Sequence, residues 1–190
     1  MKNKTLSVVC ALLLNTLFLV AQTDKKVENA DRNSILNTSF PKVDAKTLLN
    51  NVVQFPTITK GKIAIICIGF NDVGRPKTNT WVKEIPSKYA DTSVVFYEMP
   101  MIKNAPKILR GVIEKGMRKG TDVALHDHVA NYYGDMKTYQ KQLLMPDENS
   151  CYTFVLDKNG VIQYSVEGAA SAEVMEKIEK IVNQLKQNKT

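Results

Sequence analysis

The chain has 190 residues, 44% of them hydrophobic, with 26 basic against 19 acidic side chains and a formal charge of +7. That length supports one ordinary core after any leader segment. The positive excess is spread along the chain without a block of like charges or an aromatic-basic ladder, which excludes a nucleic-acid partner and leaves anionic partners such as lipid headgroups or acidic proteins.

Lys2 and Lys4 precede an apolar run over residues 6–20, followed by Ala21 and the polar residues 22–24. The run is shorter than the roughly 20 residues of a membrane-spanning helix, so residues 1–21 read as a cleaved signal peptide and the protein as exported, periplasmic or secreted. An uncleaved N-terminal membrane anchor is the alternative. Residues 22–38 are polar and weakly periodic, which predicts a flexible leader, and the folded domain is expected over residues 39–187.

Residues 47–49 and 52–55 flank Asn50 and Asn51 as a small hairpin. Residues 62–70 form a continuous, β-branched apolar run around Cys67, the pattern of a central strand buried on both faces. Trp81, Val82 and Ile85 then fall at helical spacing over residues 77–89, ahead of Pro86, and residues 93–99 read as a second strand. Strand, helix, strand implies a parallel crossover. About fifty residues with helical signals follow. Residues 152–156 and 161–164 make a hairpin around Asn159 and Gly160, and Ser171 caps a final helix with a stripe of Val174, Ile178, Ile181, Val182 and Leu185.

The order β-α-β, helical insertion, β-β-α, with Gly61 and Lys62 before the central strand, Trp81 in the next helix and Asp157 to Gly160 in the last hairpin, resembles the thioredoxin-like proteins. The fold class is therefore α/β: a central mixed β-sheet flanked by helices, with the helical insertion before the C-terminal hairpin and helix. Where thiol oxidoreductases of this superfamily carry Cys-x-x-Cys, residues 71–77 read Asn-Asp-Val-Gly-Arg-Pro-Lys, and a peroxiredoxin's reactive cysteine is missing there too. The position of the family's cis-proline is taken by about Tyr152. Within the superfamily the chain is similar to the mitochondrial assembly-factor family that helps build the membrane sector of ATP synthase, which is thioredoxin-like and lacks active-site cysteines. The likeness runs over about residues 40–185, through residues 61–70, Trp81, 94–100, Leu109 and Arg110, and above all 149–157 with Gly160 and residues 168–170. It implies a chaperone-like binder of a membrane-associated protein, with no catalytic residue and no cofactor. The mitochondrial proteins act from the matrix side, whereas a signal peptide places this chain on the opposite side from the synthase's catalytic head.

The candidate sites follow from this frame. The loop at the carboxyl end of the central strand, with Asp72 and Arg75 as a local ion pair and with Trp81 and Tyr152, is a candidate recognition surface. Lys107, Arg110, Lys115 and Arg118, with Ile108, Leu109, Val112, Ile113 and Met117, form a basic amphipathic helix suited to a protein partner or to peripheral contact with an anionic membrane. Cys67 and Cys151 are the thiols left after the leader; two buried small hydrophobes is the plainer reading, Cys151 near Arg75 being the better nucleophile. They support the rival function, an atypical thiol-dependent oxidoreductase or peroxiredoxin-like enzyme. Cys151 is expected level with Phe70 and Cys67 several residues deeper, which disfavours a disulfide. His126 and His128 are weak metal candidates.

Overall fold

The computed structural model describes residues 32–89, 93–103 and 105–187. The chain divides into units 1–34 and 35–190, and the architecture here is that of the second. The signal-peptide segment lies outside the described residues, as does most of the leader.

Strand β3, Ile63–Gly69, is the apolar run read from the sequence, and from Ile63 to Ile68 every side chain is buried. It can be apolar throughout because both of its faces are covered. It pairs in parallel with β4 (Val94–Pro100) and antiparallel with β6 (Cys151–Leu156), which pairs with β7 (Ile162–Glu167), in the order β4-β3-β6-β7. On one face, Ile63, Ile65, Cys67, Phe96 and Val155 pack with Trp81 and Ile85 of helix α1 (Arg75–Lys88) and with Met175, Ile178 and Val182 of the C-terminal helix, Ala172–Gln187. On the other, Ile66, Ile68, Met99 and Phe154 pack with Val43, Phe55, Met136 and Leu143.

That second face is covered by a sheet the sequence only half announces. Strands β1 (Val43–Thr47) and β2 (Val52–Phe55) form the expected hairpin around Asn50, whose φ is 71°. The third strand, β5 (Ala130–Asn131), comes from inside the segment expected to be helical and pairs with Lys46 and Thr47. Its neighbours Val129 and Tyr132 also bridge to Glu98 of β4 and to Met101 just beyond it. The same segment holds helices α2 (Lys107–Gly120) and α3 (Lys137–Gln142), so the C-terminal helix is α4.

Two boundaries depart from the sequence reading. Residues 35–38 belong to the domain rather than to a leader: Ile35 and Phe40 are core residues, and Asn37 N donates to Ile162 O at 2.8 Å. Helix α1 begins at Arg75, two residues before the expected stretch, and runs through Pro86 to Lys88, with Ser87 Oγ donating to the carbonyls of Lys83 and Glu84 at 3.2 and 3.0 Å. Met175 joins the buried stripe of α4, whose N-terminus is capped as expected by Ser171 Oγ, which accepts from Val174 N at 3.3 Å.

The β6–β7 turn is held by Asp157 Oδ1, which accepts from Asn159 N at 2.8 Å and Val161 N at 3.0 Å. Gly160 has φ 81°, and a Cβ there would come within 2.7 Å of the Pro56 ring. Gly160→Ala combines left-handed strain with that overlap, and a loss of about 1–3 kcal/mol in the unfolding free energy is expected from urea titration.

Candidate functional site

At the carboxyl end of β3, where the relatives' dithiol would sit, residues 71–77 are fastened to the approach to β6. Asn71 Nδ2 donates to Asn149 Oδ1 at 3.0 Å, Asn71 Oδ1 accepts from Gly74 N at 3.0 Å, and Lys77 Nζ donates to Asn149 O at 3.1 Å. Gly74 lies so close to residue 150 that a Cβ would stand 2.9 Å from the Ser150 carbonyl oxygen. Arg75 Nε donates to Asp72 Oδ1 at 3.0 Å, and both side chains face solvent. Of the four residues proposed as a recognition loop, only these two are available to a partner.

Trp81 and Tyr152 are fully buried, which removes them from a contact surface. Trp81 Nε1 donates to Gly168 O at 2.8 Å. The Tyr152 hydroxyl accepts from Asp147 N at 2.9 Å and donates to Asp147 O at 3.1 Å. Both hold loops to the sheet, a role that needs a large ring with one polar tip.

The two thiols are closer than expected. Cys151 pairs with Gly69 and Cys67 with Thr153, so Cys67 lies only two residues deeper, as a diagonal neighbour on the same face of the sheet. Both are free and buried, and the thiols hydrogen-bond to each other. Burial pushes Cys67 well above the ordinary thiol range, with the Cys151 bond adding to it. Cys151 is held down by the hydrogen bond from Cys67, against burial, with help from Thr78, Trp81 and Lys77 rather than Arg75. Its Sγ also meets Gly168 O at 3.1 Å.

His126 Nε2 lies 3.2 and 3.1 Å from the carbonyls of Arg118 and Thr121, and His128 Nδ1 lies 2.9 Å from Phe96 O. Each ring is thus tied to backbone. Among the described residues no three or more His, Cys, Asp or Glu side chains gather as metal ligands.

Helix α2 is turned opposite to an ordinary amphipathic surface helix. Its one buried residue is Glu114, while Ile108, Leu109 and Val112 are 86%, 50% and 69% exposed. The stripe Arg110, Glu114, Arg118 faces the domain. Glu114 lies 3.7 Å from Lys46 Nζ and 4.0 Å from Arg118 Nη1, Arg118 donates to Leu48 O at 2.9 Å, and the Arg110 guanidinium sits 4.6 Å above the Tyr133 ring. Burial, with Glu114 nearby, pushes the Tyr133 hydroxyl up to about 12. The four cations singled out in the sequence therefore divide: Arg110 and Arg118 dock the helix, whereas Lys107 and Lys115 stand exposed beside the outward apolar face. The missed residue is Glu114, an acid amid basic neighbours at the spacing that reaches both arginines.

This architecture is thioredoxin-like. Its structural neighbours include the thioredoxin domain of a thiol-disulfide oxidoreductase from Bacteroides vulgatus (TM-score 0.53, 14% identity, 77% of this chain and 97% of that one). BsSco, of the Sco family of cytochrome c oxidase assembly proteins, matches with TM-score 0.56 and 12% identity over 81% and 96%. A reduced 2-Cys peroxiredoxin from Plasmodium vivax matches with TM-score 0.54 and 13% identity over 81% and 84%. At these identities the likeness is one of fold. No curated protein matches the chain. The chain belongs to the ATP10 protein family, whose model matches residues 36–185. That is the assembly-factor family the sequence resembles, and membership implies a protein partner.

Proposed function

We propose that this is an exported, non-catalytic assembly factor that binds a membrane-associated protein through the outward face of α2. The observation that carries the reading is the inverted helix: three adjacent apolar side chains are held in solvent by a polar stripe that docks the other side. Exposed apolar residues in a group, rimmed by charge, mark interaction surfaces. Lys107 and Lys115 beside them favour a partner at an anionic membrane, and the loop at residues 71–77 carries no cysteine. Family membership supports assembly of the ATP synthase membrane sector as the process. The signal-peptide pattern of residues 1–21 supports export, with action from the side of the membrane opposite the catalytic head.

Ile108→Glu/Val112→Glu changes only exposed side chains, so the variant is expected to melt within about 2 °C of wild type, since surface substitutions shift stability by about 0.5 kcal/mol or less. In a deletion strain, wild type restores the assembled membrane sector on native gels and the double variant does not. Equal rescue by both sinks the α2 assignment, and unimpaired assembly in the deletion strain sinks the assembly role.

A further inference from the structure

A second feature lies beside this face, at the carboxyl ends of β3 and β4. A cleft of about 470 Å³ opens between the loop after β3, the first turns of α1, and α2 with the short helical turn that follows it. Its size is that of a ligand pocket, about 300–1,000 Å³. The walls are mixed: Phe70, Pro100, Ile113 and Met117 stand with the polar Thr78 and Asn79. Ile113 is four positions on from the exposed Leu109, and Met117 four on from Ile113, so the cleft wall continues into the exposed apolar face of α2.

Three carboxyls line the cleft, Asp72, Glu98 and Asp122, and of these Glu98 is the least exposed. Glu98 lies in β4 opposite Cys67, facing α1, and no described side chain hydrogen-bonds it. Two groups act on it electrostatically, Arg75 and the Cys67 thiol. Burial pushes the Glu98 carboxyl up, and Arg75 only partly pulls it back. Arg75 is itself neutralised by Asp72 at 3.0 Å, and Asp122 adds a further carboxylate at the rim, where it accepts from Ala124 N at 3.0 Å. On a chain of net charge +7, this cleft is locally acidic.

We propose that the cleft receives an apolar peptide segment of the partner carrying a single cationic side chain, with Glu98 as its counter-charge. A half-buried carboxylate without a side-chain hydrogen bond is costly until a cation joins it, and a lysine or arginine in an apolar segment carries the mirror-image cost. Pairing the two removes both, which selects a basic residue in an apolar context over an apolar or acidic one. The proposal rests on the reading that this protein binds a partner.

The test uses the full chain and short fluorescein-labelled alanine-leucine peptides with a single central lysine, norleucine or glutamate, titrated by anisotropy. The lysine peptide is expected to bind about tenfold more tightly than the norleucine one, with the glutamate peptide weakest. Glu98→Gln, which keeps the shape and removes the charge, is expected to bind lysine and norleucine peptides alike, with circular dichroism confirming its fold. Equal binding of those peptides by wild type, no binding of either, or a lysine preference that survives Glu98→Gln overturns the proposal. Ile108→Glu/Val112→Glu separates the two readings: lost assembly with an intact lysine preference upholds the cleft, and assembly rescue by that variant removes the α2 assignment while leaving the peptide result to decide Glu98.

Discussion

Trp81→Ala is expected to be the most damaging single substitution in the domain, lowering stability by about 3–5 kcal/mol. At about 2–4 °C per kcal/mol for a domain of this size, Tm falls by about 6–20 °C. The ring is fully buried between α1 and the sheet, so its removal leaves a cavity that Ile65, Ile85 and Ile178 are too constrained to fill. It also anchors a clasp. Trp81 Nε1 and Cys151 Sγ both meet Gly168 O, and the neighbouring Thr80 Oγ1 accepts from Ala170 N at 2.8 Å.

Trp81→Phe divides the two contributions. It retains most of the apolar ring but leaves the Gly168 carbonyl with the thiol as its remaining described side-chain donor, so a loss of about 1–3 kcal/mol is expected. Circular dichroism in urea measures both variants, because Trp81 is the chain's one tryptophan and its fluorescence disappears with it. A loss below about 1 kcal/mol for Trp81→Ala overturns the account. A normal melt with loss of partner binding returns Trp81 to the recognition surface on which the sequence reading placed it.

The parts of the fold legible in the sequence are those where local chemistry and burial agree. Residues 62–70 read as a central strand because a segment covered on both faces is apolar almost throughout. Asp157 to Gly160 read as a turn because the carboxylate and the left-handed glycine are both local requirements. The orientation of α2 was not legible. Periodicity defines two stripes on that helix, and the ordinary assumption docks the apolar one. Here Glu114 decides otherwise, through Lys46 on a distant strand and Arg118 one turn away. Strand β5 was hidden for a similar reason: it is two residues long, and its partners Lys46 and Thr47 lie more than eighty positions earlier. The approach of Cys67 and Cys151 needed the β3–β6 register. A one-residue change in the alignment of Cys151, from Phe70 to Gly69, puts both thiols on one face.

That juxtaposition gives the rival thiol-enzyme reading its most direct trial. In the native protein both cysteines are expected to react with a small aromatic disulfide reagent at least about a thousandfold more slowly than in guanidinium. The thiolate attacks a sulfur of the reagent and displaces the aromatic thiolate, and neither protein sulfur meets solvent, so each reaction must wait for a local opening; an opening free energy of about 4 kcal/mol gives that factor. Cys67 is expected to be the slower, because burial and its donated hydrogen bond keep it protonated, whereas the same bond favours the Cys151 thiolate. The single variants Cys67→Ser and Cys151→Ser assign the two phases. If Cys151 in the folded protein reacts at the rate of an unhindered thiol, and Cys151→Ser abolishes turnover in disulfide- or peroxide-reduction assays, the dithiol has moved from the loop into the strands beneath it and the protein is an enzyme. If both thiols stay protected and no form turns over, the cysteines are core side chains, and the chemistry of this domain is binding.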